Sequence, residues 1–212
     1  MKNEKVLLSV LLTSLFLACG KPGKADTSAT KPVRKVESID LQDAHTVQNV
    51  APDTIDLSKI SVSNKELAPF PVFNPPTGLA ALNKPITRDF DKLFFPTREG
   101  MVLLEGKVYK TFITSVEGRE WSLPYFEKSY RELITSAGGV LIFQGKVAQQ
   151  ELDRIKDEAT YFGEEGSIDY PNTLVRVYAI RRKDGDHLFV QMSGYSAGAS
   201  IQILQLPKAE KK

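Results

Sequence analysis

The sequence predicts an α+β domain over residues 86–206, a largely antiparallel sheet with two helices packed on one face, preceded by a long disordered tether. Three observations predict it. The runs Leu174 to Ile180 and Leu188 to Met192 flank Lys183-Asp184-Gly185-Asp186, and Asp-Gly between apolar runs signals a hairpin because both residues tolerate positive φ. Two other segments repeat apolar residues at helical spacing, each set off by glycine. Composition also divides the chain: nine of its 12 prolines lie between Pro22 and Pro96, while sixteen of its nineteen aromatic residues lie at Phe90 or later.

The elements follow in order. Met101 to Leu104 reads as a strand and Lys107 to Val116 as a second, with Val108, Phe112 and Val116 on one side and Gly106 turning between them. Ser122 caps a helix whose stripe is Phe126, Tyr130, Leu133, Ile134 and Ala137. Pro124 is tolerated there because first-turn N–H groups have no intrahelical partner, and Gly138-Gly139 ends the helix. Val140 to Phe143 is too short for a helix after two glycines and reads as a buried strand. A second helix carries Ala148, Leu152, Ile155 and Ala159 inward, with Glu151, Asp153, Arg154, Lys156, Asp157 and Glu158 on its wet face. After the loop Gly163 to Asn172 come the hairpin and a last strand, Ser200 to Leu206, then a charged tail over 207–212. About 120 residues of this content suffice for one core.

Residues 19–85 have little hydrophobic period of either kind and are rich in proline, which reads as an extended tether. Within it, Pro69-Phe70-Pro71-Val72-Phe73 is an apolar patch with two readings, docking onto the domain or binding a partner.

Residues 1–18 read as an export signal: Lys2 and Lys5 precede an apolar run from Val6 to Ala18. That run is shorter than the roughly 20 residues a bilayer span needs. It closes on Leu15-Phe16-Leu17-Ala18-Cys19, which resembles the lipobox of bacterial lipoproteins, with Phe16 where that family usually has leucine. Cys19 is the one cysteine of the chain and stands where that chemistry needs a thiol for a diacylglyceryl thioether. Exported chains usually hold paired cysteines or none, and lipidation removes the anomaly. Two or three acyl chains anchor stably, at about 0.8 kcal/mol per buried methylene. The expected partner of Cys19 is therefore a membrane.

Charge argues against nucleic acid. The chain has 28 Lys+Arg against 26 Asp+Glu, and removing Lys2, Lys5 and Glu4 with the leader leaves 26 against 25. A balanced chain attracts no phosphate backbone from a distance. Arg181-Arg182-Lys183, the densest basic run, reads as the charged end of the hairpin.

Catalytic patterns are thin. Gly194-Tyr195-Ser196-Ala197-Gly198 matches the G-x-S-x-G nucleophile elbow, whose serine needs a strand-to-helix turn and a histidine later in the chain. Both histidines, His45 and His187, precede Ser196, and the residues after it read as strand, so a glycine-rich turn is the expected reading. Two separated histidines with a single cysteine do not make an ordinary zinc site. Asp157, Glu164, Glu165 and Asp169 lack the alternation of a calcium loop and read as a solvated acidic loop. No phosphate-binding glycine motif is present. The expectation is a protein without cofactor or metal and without enzymatic activity, with a Ser196 esterase as the alternative within enzymes.

Gly106 to Lys110, Tyr125 to Ile134, Ala137-Gly138-Gly139-Val140, Tyr178 to Arg182 and Val190-Gln191 together resemble the N-terminal module of some OmpA-family envelope lipoproteins, over residues 90–206. In that family a peptidoglycan-binding domain usually follows; none is expected here, the chain ending at Lys212. The resemblance implies an outer-membrane or periplasm-facing location and a structural or interaction role with an envelope protein partner. A carrier of a lipid or small apolar ligand between sheet and helices is the other expectation.

Overall fold

The computed structural model describes residues 55–159 and 163–208. The described residues form seven strands and two α-helices: β1 Leu79–Ala81, β2 Ile86–Pro96, β3 Met101–Ser115, α1 Leu123–Ser136, β4 Val140–Gly145, α2 Gln149–Ile155, β5 Val175–Ile180, β6 Leu188–Tyr195 and β7 Gly198–Gln205. All named strand pairs are antiparallel. The order is β1-β3-β7-β6-β5-β4, with β2 sharing the outer edge of β3 beside β1. The expected antiparallel α+β fold with two helices is what the chain forms.

The hairpin holds as read: Ile180 pairs with Leu188 and Val175 with Ser193, and Gly185 takes φ 80° in the turn. Ser122 caps α1, its Oγ accepting from the Tyr125 N–H, and Pro124 sits in the first turn. Phe126, Tyr130 and Ile134 are buried along the helix, and Gly138 at φ 89° stops it.

The two helices, expected together on one face, instead divide between the two faces of the sheet. On β6, Leu188, Val190 and Met192 pack with Phe126, Tyr130 and Ile134 of α1. Phe189, alternating to the other side, belongs with Leu152 and Ile155 of α2. On β5, Tyr178 and Ile180 meet the α1 side and Val175, Val177 and Ala179 the α2 side. Strands covered on both faces read as nearly continuous apolar runs rather than as an alternation, and Val175–Ile180 is such a run but for Arg176.

Two further differences have plain causes. Gly106 makes no turn: β3 runs unbroken through it, and a Cβ there would lie 2.2 Å from the Gln205 carbonyl oxygen, so the glycine permits close approach of β7. Val140–Gly145 is the outer strand of the sheet and not a buried one, with Val140 and Leu141 both exposed, because only β5 pairs with it.

The folded region begins before residue 86. Ile60 is buried in the α2-side core and Phe73 in the α1-side core. Ser63 bridges Arg182, and its Oγ donates to the Ala137 carbonyl at 2.8 Å. The Arg181 guanidinium donates to the Ile60 carbonyl at 3.1 Å, and β1 joins β3. Phe70 and Val72 pack beside Phe73, so the 69–73 patch docks on its own domain. Proline bars a segment from regular ladders, yet its neighbours still bury side chains, so absence of period is no sign of absence of packing. The part of the expected tether before Ile55, with the leader and Cys19, lies outside the described residues.

Candidate functional site

Most of the polar residues buried in the sheet lie on its α2 side, with Thr111 of β3 on the other. Lys110, Gln191, Ser193, Ser200 and Gln202 are all buried, and the loop 163–173 covers them. The Gln202 carboxamide donates to the Gly166 carbonyl at 2.8 Å, and its Oε1 accepts from Gln191 at 2.7 Å.

The acidic loop is not solvated as expected. Glu164 takes Lys110 Nζ at 2.6 Å and both terminal nitrogens of Arg88 at 3.2 Å, while Arg88 also meets Asp91 at 2.6 Å. Burial works to raise the Glu164 carboxyl; its bonds from Arg88 and Lys110 outweigh that and hold it below the usual carboxylate range. Glu165 accepts from the Phe112 N–H at 2.8 Å and from Asn83 at 2.9 Å. Phe112 falls in the gap between β1, which ends opposite Ile113, and β2, which starts opposite Lys110. The carboxylate thus caps a backbone donor that neither strand reaches. Asp169 and Asp157 remain exposed. Among the described residues, no three His, Cys, Asp or Glu side chains converge as a metal site.

Beyond this anchored loop opens a cleft of about 540 Å³, between α2 and the far ends of β6 and β7. Ser193, Ser200 and Thr173 lie at its floor, Asp153, Lys156 and Asp169 along its walls, and Tyr195 and Phe112 at its end. Ser193 Oγ donates to Thr173 Oγ1 at 2.6 Å, and Thr173 Oγ1 donates to the Asp169 carbonyl at 2.6 Å. Ser200 Oγ donates to the Ser167 carbonyl at 2.7 Å. These floor residues were not singled out in the sequence, although a signal exists: Gln191 and Ser193 on β6, and Ser200 and Gln202 on β7, alternate with apolar neighbours at period two.

Ser196 lies on a strand-to-strand turn and not on a strand-to-helix turn. Tyr195 pairs with Gly198, making Ser196-Ala197 the two-residue turn of a β-hairpin, and Ser196 is exposed. The flanking glycines have packing reasons: a Cβ on Gly194 would strike Leu123 at 2.4 Å, and one on Gly198 would come within 3.2 Å of the Ile113 carbonyl. His187 lies just before the other end of β6, eight residues from Tyr195, or roughly 26 Å at strand rise. Its Nδ1 accepts from the Arg182 N–H at 3.0 Å, and burial together with Arg181 lowers its pKa. His45 lies outside the described residues. Arg181 and Arg182 are engaged by the Ile60 carbonyl and by Asp186, as befits a hairpin end.

A small pocket between α2, the loop and the sheet, around Leu93, Ile155 and Tyr170, is about 40 Å³. That is near the ~30 Å³ share of one water, too little for an acyl chain. No helix among the described residues is long and apolar enough to cross a membrane. The chain matches no family model, no curated protein and no solved structure.

Proposed function

We propose that this chain is a lipid-anchored protein of the bacterial envelope whose α+β domain is a non-catalytic binding module. The observation that carries the proposal is Leu15-Phe16-Leu17-Ala18-Cys19 directly after a charged and apolar leader, with no other cysteine in the chain. The domain supports the binding half of the reading: the cleft beside Ser193 and Ser200 is lined by hydroxyls and charged groups, with no histidine or cysteine among its described lining residues to activate them. The resemblance to OmpA-family lipoproteins is part of the same proposal and favours an outer-membrane site facing the periplasm or the cell surface.

Metabolic labelling with palmitate and detergent phase partitioning test the anchor. Wild type should take up label and enter the detergent phase, and Cys19→Ser should do neither. A Cys19→Ser chain that still partitions with lipid refutes the anchor. Crosslinking in native membranes tests the binding module, which turnover of an envelope substrate without any specific crosslinked component would sink.

A further inference from the structure

We infer that the cleft beside Ser193 and Ser200 is a saccharide-binding site, sized for one or two sugar rings. The inference deepens the reading of the domain as a binding module and is independent of the anchor.

The argument begins with proton count. A hydroxyl carries one donor and two acceptor lone pairs. The Thr173 proton is committed to the Asp169 carbonyl, so Thr173 can only accept from Ser193, which commits the Ser193 proton in turn. The Ser200 proton is committed to the Ser167 carbonyl. Both serines are about 95% buried, at 4% and 5% exposure, yet both line the cleft. Among the described residues nothing donates to either Oγ. The floor therefore presents two fixed acceptors, held by backbone-anchored bonds, whose complement is a ligand bringing its own O–H or N–H groups.

The rest of the cleft narrows the class. Asp153 and Asp169 add acceptors and Lys156 adds a donor, so the walls suit groups that both give and take hydrogen bonds. Sugar hydroxyls do both; an acyl chain does neither. Tyr195 contributes a ring 49% exposed at the rim, flat apolar area of the kind the C–H face of a pyranose covers. That ring is held in place. The Tyr195 carbonyl accepts from Trp121 Nε1 at 2.9 Å, and its hydroxyl lies over Gly198, where an added Cβ would come within 3.5 Å. The volume of about 540 Å³ falls inside the ~300–1,000 Å³ typical of small-molecule sites. Preformed acceptors and a preformed platform reduce the ordering cost of binding.

The test uses the full chain in an amine-oxide detergent, since glycosidic detergents would compete. Glucose, maltose, N-acetylglucosamine and chitobiose are titrated at millimolar concentration, with spermidine as the amine arm, by saturation-transfer NMR and calorimetry. At least one sugar should bind with saturation of its ring protons, and Ser193→Ala and Tyr195→Ala should each weaken it at least about tenfold. Ser196→Ala, in the adjacent exposed turn, should leave the affinity unchanged. Should Ser193→Ala fail to fold, Tyr195→Ala on its exposed ring decides alone. Binding of none of the four sugars, binding of spermidine in their place, or sugar binding indifferent to Tyr195→Ala overturns the inference. A null result with sugars while Cys19 lipidation and envelope crosslinking persist removes the ligand class and leaves the proposed function standing.

Discussion

Glu164→Gln removes the charge that meets Lys110 and Arg88 while keeping the shape of the side chain. Lys110 is 1% exposed and its bond to Glu164 is 2.6 Å, whereas Glu164 itself is 32% exposed. Breaking a fully buried pair costs about 3–5 kcal/mol, mostly as an uncompensated buried charge. Solvent reaches one member here, so the expected loss is about 2 kcal/mol at pH 7. In a domain of this size that lowers Tm by about 4–8 °C. The single tryptophan, Trp121, packed against Phe126 at 5.7 Å, reports unfolding in urea. The sign with pH follows from the direction of the shift. A carboxyl lowered in the folded state contributes fully above its unfolded value near 4.3, and the contribution fades as pH falls through the folded value. The gap between wild type and variant should therefore hold from neutrality to about pH 5 and then narrow steadily as pH falls through the lowered folded value. Adding Lys110→Met to the variant should recover part of the loss, since the buried cation then disappears as well. A gap under about 0.5 kcal/mol at pH 7, or one that does not narrow as the pH is lowered below about 4, refutes the reasoning.

Other substitutions probe the frame. Phe73→Ala, 2% exposed before truncation, should cost about 3 kcal/mol in urea unfolding, a loss inconsistent with a free tether. Gly106→Ala should cost about 2–3 kcal/mol, because the methyl group meets the Gln205 backbone and not a yielding side chain. Ser122→Ala leaves the Tyr125 N–H without its side-chain acceptor and should cost about 1 kcal/mol by the same assay.

Legibility in the sequence followed the range of the forces involved. The caps of α1, its stripe and the Asp184-Gly185 hairpin are decided within a few residues, and each is where the sequence places it. β2 was not singled out as a strand because its pairing shifts between Arg88 and Asp91, a bulge that leaves Phe90 68% exposed and breaks the alternation. The Pro-rich stretch before Pro85 hides its burial for a related reason, since Ile60 and Phe73 join different cores with no regular spacing between them. Contacts such as Lys110 with Glu164, 54 residues apart, leave no local trace at all.

The division of the helices between two faces also explains where the cleft lies. On the α1 side the residues of β6 and β7 are apolar without interruption, Val190 and Met192 beside Ile201 and Ile203, and the face is closed. On the α2 side the same strands turn polar after Phe189 and before Leu204, through Gln191, Ser193, Ser200 and Gln202. A seven-residue helix with two buried side chains, Leu152 and Ile155, covers too little to seal that stretch. The loop 163–173 supplies the remaining cover through Glu164, Glu165, Gly166 and Ser167, each held by a bond to the sheet or its edge. Those bonds satisfy the buried polar groups as far as Ser200 and Ser193, and there the cover ends, leaving at the edge of the cleft two hydroxyls whose protons are spent. Each serine also carries a structural bond, Ser200 to the Ser167 carbonyl and Ser193 to Thr173, so the same two hydroxyls that hold the loop against the sheet form the floor of the cleft.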